Sequence, residues 1–144
     1  MVSLKKFWSE IKEECSKHVF RSHGRWVFVD DDALLEHFGV PPSVPGACVL
    51  RVGRRTPYIV INATTRDSSK EFRDAVILHE IGHIVSGHLV KQPHRMDAME
   101  FEADLYAQQQ GADMVGALKH LISLNVYDNV SLNRRINFLE SRYV

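Results

Sequence analysis

Apolar residues recur at three- and four-residue steps along the first stretch of the chain, at Leu4, Phe7, Trp8, Ile11 and Cys15. That is the spacing of one helix face, and it predicts an amphipathic helix from about Ser3 to Val19. Trp26–Val29 is a short strand candidate, and Asp30-Asp31-Asp32 offers N-capping chemistry for a brief helix through Phe38. Gly39 and the run Pro41-Pro42-Ser43-Val44-Pro45-Gly46 interrupt the pattern with a rigid surface loop. Two β-type runs follow, Ala47–Val52 and Tyr58–Asn62, separated by Gly53-Arg54-Arg55-Thr56-Pro57 in the manner of a hairpin.

From Ser68 onward the period becomes helical. Ser68-Ser69-Lys70-Glu71 has the S-x-x-E form of a capping box. Phe72, Ala75, Val76, Ile77, Leu78, Ile81, Ile84 and Val85 then make a helix apolar on most of its circumference, which predicts burial. This helix is expected from about Ser69 to Leu89, with Pro93 barring its continuation. Further helices are expected over Met96–Gln110, ended by Gly111, and over Ala112–Leu124, with Val115, Leu118, Leu121 and Ile122 on one face. A last helix is expected after Ser131, carrying Leu132, Ile136 and Leu139. A small sheet followed by a helical half is an α+β architecture.

Length and composition narrow the picture. A chain of 144 residues is most simply one domain, 1–144, with a single core. Its formal net charge of zero and the absence of any block of like charges argue against general electrostatic attraction to nucleic acid or anionic membranes. No stretch approaches the roughly 18 consecutive apolar residues of a membrane span. Lys5, Lys6, Glu10, Lys12, Glu13 and Glu14 leave no apolar signal core near the N-terminus, so a cytoplasmic location is expected. Cys15 and Cys48 lack CxxC spacing and are expected to be buried thiols.

Chemistry concentrates in the buried helix. His79-Glu80-Ile81-Gly82-His83 reads HExxH. A helix advances about 100° per residue, so His79 and His83 share a face and can reach one metal ion together. Glu80 is placed beside them to contact a water on the metal. Unpaired polar groups inside a buried helix are costly, and a zinc ion provides partners for all three. Catalytic zinc takes a third protein ligand. The next helix offers Glu100 and Asp104, which share a face, and Glu102, which points about 200° away from Glu100. Glu100 is the expected ligand and Glu102 its rival. Asp104 would accept the spare ring N–H of a ligand histidine and fix its tautomer. His18, His23, His37, His88, His94 and His120 are expected to be non-ligands.

HEIGH followed by Glu100-Phe101-Glu102-Ala103-Asp104 resembles the HExxH…ExxAD pair of gluzincin peptidases, particularly the HtpX and CAAX-prenyl-protease type. Asn129-Val130-Ser131-Leu132-Asn133-Arg134-Arg135-Ile136 is similar to that family's C-terminal H-P-S-x-x-x-R-I box. The resemblance covers roughly residues 58 to 142 and implies a zincin-like domain with zinc on His79, His83 and Glu100. It also implies Glu80 as general base, with Arg135 as the arginine associated with the active site. Typical members have membrane-spanning helices, so a minimal soluble form is implied. Asn129 stands where such enzymes carry a histidine that stabilises the oxyanion, and Val130 where they carry proline. Tyr127 is a nearby alternative donor. The ImmA/IrrE type, small zinc peptidases acting on repressors, resembles residues 58 to 107 nearly as well.

The implied activity is endopeptidase hydrolysis of a protein or peptide substrate. The run Tyr58, Ile59, Val60, Ile61 and Asn62 precedes the motif helix closely, and an extended substrate is expected to pair with its backbone edge. A zinc-stabilised binding module that does not cleave is the alternative from a different class.

Overall fold

The computed structural model describes residues 27–30, 32–37, 40–50, 57–87, 96–125 and 127–143. The helix expected over Ser3–Val19, together with Trp26, the hairpin turn, His18, His23, His88 and His94, lies outside these residues. The fold is mixed α+β. The chain divides into two compact units, one up to Arg66 and one from Asp67 onward.

The first unit holds strands β1 (Val27–Asp30), β2 (Ala47–Leu50) and β3 (Tyr58–Ile61). It also holds the short helices α1 (Asp32–His37) and α2 (Ala63–Arg66). The antiparallel pairing expected of the two runs is present: β2 pairs with β3, Ala47 opposite Ile61 and Leu50 opposite Tyr58. β1 pairs parallel with the other side of β3, Val27 opposite Tyr58. β3 is therefore the central strand of a three-stranded sheet, in the order β1-β3-β2. Ile59, Val60 and Ile61 are fully buried, as befits an apolar run covered on both faces.

That topology corrects the expected substrate edge. Both edges of β3 are already hydrogen-bonded, so Tyr58, Ile59, Val60 and Ile61 present no free backbone for an incoming strand. Asn62 is likewise committed to the fold. Its Oδ1 accepts the N–H groups of Gly46 (3.3 Å) and Thr65 (3.1 Å), and its Nδ2 donates to the carbonyls of Pro41 (3.0 Å) and Val44. A fully buried amide with both ends paired clamps the Pro41–Gly46 loop. Asp32 opens α1 and accepts the Ala63 N–H at 2.6 Å, so it tethers the start of α2.

The second unit is helical: α3 (Lys70–Val85), α4 (Met96–Gln109), α5 (Met114–Leu124), α6 (Asn129–Glu140) and a closing 3-10 turn, Ser141–Tyr143. The α3 cap is Ser69, whose hydroxyl accepts the Phe72 N–H at 3.2 Å, one residue later than the S-x-x-E box predicts. The helix also stops short of Leu89. Gly87 turns left-handed at φ 76°, a conformation with no Cβ penalty for glycine, and its N–H donates to the Ile84 carbonyl at 3.1 Å. Asp128 caps α6 by accepting the Val130 N–H at 3.0 Å, so that helix begins at Asn129, before Ser131.

The core of this unit joins Phe72 and Ala75 of α3, Ala107 of α4, Met114, Ala117 and Leu118 of α5, and Leu132, Ile136 and Leu139 of α6. Leu118 is fully buried at its centre. Leu118→Ala is expected to lower the unfolding free energy by about 2–5 kcal/mol, the range for a buried leucine cavity. Urea titration should show a lower midpoint with an unchanged slope. No helix among the described residues is long and apolar enough to cross a membrane.

Candidate metal centre

One turn of α3 brings the two motif histidines together. Their ring centroids lie 4.6 Å apart with planes at 89°, and the two Nε2 atoms are 3.0 Å apart. The other nitrogen of His79, Nδ1, is 2.7 Å from Asp104 Oδ1. A carboxylate there accepts the Nδ1–H, which leaves the Nε2 lone pair facing His83. Glu100 completes the group, with Oε2 3.1 Å from His79 Nε2 and Oε1 3.3 Å from His83 Nε2. Three electron-pair donors converge on one point and call for a positive charge between them. His79, His83 and Glu100 form a group whose ligand atoms all lie within 4.8 Å of one another.

The donor set fits zinc in type and spacing. Nitrogen and oxygen ligands at about 2.0–2.1 Å on a tetrahedral ion lie about 3.3–3.4 Å from one another. The observed separations of 3.0, 3.1 and 3.3 Å are close to those tetrahedral edges. Three protein ligands are the number that leaves a fourth position open. Glu102, the rival ligand, is exposed. His120 is exposed and sets its ring edge-on to Phe72, at 4.9 Å between centroids.

Helix packing explains why Glu100 reaches the histidines. Gly82 sits between His79 and His83, and a Cβ there would lie 2.8 Å from the Ala103 carbonyl oxygen and 2.9 Å from Ala103 Cα. The backbones of α3 and α4 meet at that point, with no side chain between them. Gly82 is an unspecified position of HExxH. Its signal was a glycine in a helix interior, which costs about 1 kcal/mol relative to alanine and implies a packing reason.

Burial dominates the electrostatics and the pairings oppose it. On His79, burial disfavours the charged ring, but hydrogen bonds to Asp104 and Glu100 outweigh it and hold the pKa up to about 10. Burial pushes Glu100 up, yet hydrogen bonding to His79 and His83 holds it well below the usual carboxylate range. Asp104 is also lowered, its burial overcome by Arg135 and His79. Glu80 behaves differently: burial pushes its carboxyl up, against the charges of His79 and His83.

The tail residues separate. Arg135 does reach the cluster, but through Asp104: Nε donates to Oδ2 and Nη2 to Oδ1, both at 2.7 Å. The arginine implied at the active site thus lies against the cluster with its guanidinium paired to a buried carboxylate. Asn129 is exposed at the first turn of α6 and makes no hydrogen bond to the cluster. Tyr127 has its phenol pushed up by burial, with the opposing charge of Arg135 in electrostatic reach. Compared with protein-family models, curated proteins and solved structures, the chain matches none, so the residues of the cluster carry the functional reading by themselves.

Proposed function

We propose that the chain is a zinc-dependent endopeptidase of gluzincin type, with His79, His83 and Glu100 as ligands and Glu80 as general base. One observation carries this reading: three donor groups converge while a separate buried carboxylate, Glu80, stands beside them within the charges of His79 and His83 and outside the ligand group. A purely structural zinc site has no use for that carboxylate. Bound zinc supplies a Lewis acid that polarises a carbonyl and acidifies water. Glu80, its proton affinity raised by burial, takes a proton from the attacking water and returns it to the leaving amine. Asp104 holds His79 in the tautomer that keeps Nε2 available.

Removing the metal tests the assignment. The purified protein is expected to contain about one zinc per chain, on the ligand count of a single three-residue site. Dialysis against a chelator should abolish cleavage of casein or a peptide library, and equimolar zinc should restore it. His83→Ala should lower the zinc content.

The second reading, a zinc-stabilised binding module, is favoured by two placements. Arg135 is committed to Asp104 and Asn129 is exposed at the start of α6, so neither is held as an oxyanion donor among the described residues. Stoichiometric zinc with no cleavage across a broad peptide library would establish that reading and exclude the peptidase.

A further inference from the structure

We propose that Arg135 is a positioning residue: its two-toothed pairing with Asp104 fixes the carboxylate that orients His79 and so ties helix α6 to the metal ligands. This rests on the metal-centre reading above but not on cleavage.

The observation begins with a carboxylate in an expensive place. Asp104 is fully buried, and a buried charge persists only when paired and hydrogen-bonded. Its Oδ1 is shared between His79 Nδ1 and Arg135 Nη2, each at 2.7 Å, while Oδ2 takes Arg135 Nε at 2.7 Å. Both oxygens are thus paired with one guanidinium. The third nitrogen, Nη1, faces the ligand itself, 3.6 Å from Glu100 Oε2. One planar cation therefore addresses two carboxylates on successive turns of α4, one oriented against a ligand histidine and the other a ligand.

Geometry and charge both follow from this arrangement. The rigid fork sets the rotation of Asp104, and Asp104 sets the ring of His79. The Asp104–Arg135 pair is formally neutral, so Glu100 is the ligand that brings negative charge to the ion. Lysine at the same position keeps the charge and loses the fork, since an ammonium is a compact point of charge. The Arg135 backbone is well anchored. Ile136 is buried in the helical core, and Phe138 stacks on Phe101 of α4 with centroids 4.6 Å apart. The next residue, Arg134, offers a contrast. Its pair with Asp97 is exposed, at 3.4 Å, and touches no ligand.

A merely structural ion pair would affect the zinc-free and zinc-bound protein alike and leave zinc affinity unchanged. A positioning role must appear in that affinity, because zinc then stabilises the variant less than the wild type. The experiment measures zinc affinity by competition with a chromogenic chelator, and the visible spectrum of the cobalt-substituted protein, for wild type, Arg135→Gln, Arg135→Lys and Arg134→Gln. Arg135→Gln is expected to bind zinc about 10–100-fold more weakly and to shift the cobalt bands, the usual scale for residues that orient a metal ligand. Arg135→Lys should fall between it and wild type, and Arg134→Gln should match wild type. If Arg135→Gln does not fold, Arg135→Lys decides: weakened affinity with a shifted spectrum supports the proposal. Wild-type affinity and spectrum in the folded Arg135 variants overturn it. A wild-type protein that binds neither zinc nor cobalt removes the metal-centre reading and this proposal with it. A zinc-binding wild type that cleaves nothing removes only the peptidase.

Discussion

Glu80→Gln protein is expected to bind zinc at the wild-type stoichiometry and to lose peptide cleavage by about 10²–10⁴-fold, the contribution of a positioned general base. The substitution keeps the size and shape of the side chain and removes the atom that accepts a proton. Metal binding should survive, because the group that could hold the ion is His79, His83 and Glu100, and Glu80 is not among them. Folding should survive too. Burial already penalises the Glu80 charge, so a neutral amide there relieves a desolvation cost. The measurement pairs zinc content by elemental analysis with cleavage of a quenched peptide library. Unchanged proteolysis by the purified variant would falsify the mechanism, and parallel loss of zinc would move Glu80 from the chemistry to the construction of the site.

The second large effect is expected from Gly82→Ala, and its sign is the informative part. In an open helix interior, glycine to alanine stabilises by up to about 1 kcal/mol through helix propensity. Here the new methyl would meet the backbone of α4, at 2.8 Å from the Ala103 oxygen and 2.9 Å from its Cα, as well as Tyr106 Cβ at 3.1 Å. Backbone atoms in a packed helix do not rotate aside. Overpacking of this kind costs about 1–3 kcal/mol, which outweighs the propensity gain. The strain also reaches the proposed metal site, because moving α4 outward carries Glu100 and Asp104 away from the imidazoles. Gly82→Ala should therefore unfold at lower urea and bind zinc more weakly, with Gly82→Val worse on both counts. Equal or greater stability of Gly82→Ala would show that the two helices have room to spare.

Much of the site was legible because helix geometry is local. His79 and His83 are four residues apart on a continuous helix, and that spacing alone puts them on one face. The pairing of Glu100 with Asp104 followed from the same rule on α4. Errors gathered where local rules compete. Ser68 and Ser69 are both acceptable caps, and the chain uses Ser69. Asp128 caps α6 ahead of the apolar positions from which its start was inferred. The β3 edge failed for a different reason. A strand's hydropathy reports the burial of its faces, and its edges are taken by whichever strands pair with it, here β1 on one side and β2 on the other.

Residues alone determined the helical half, the α+β order, the two imidazoles and the acidic helix that would meet them, because these depend on period and spacing within one element. Tertiary structure decided that Glu100 closes the group while Glu102 is exposed, that Gly82 is the point of backbone contact, and that Arg135 pairs with Asp104 across 31 residues of chain. Those outcomes depend on the rotation and separation of one helix against another. Interhelical packing sets both, and no periodicity within a single helix contains them.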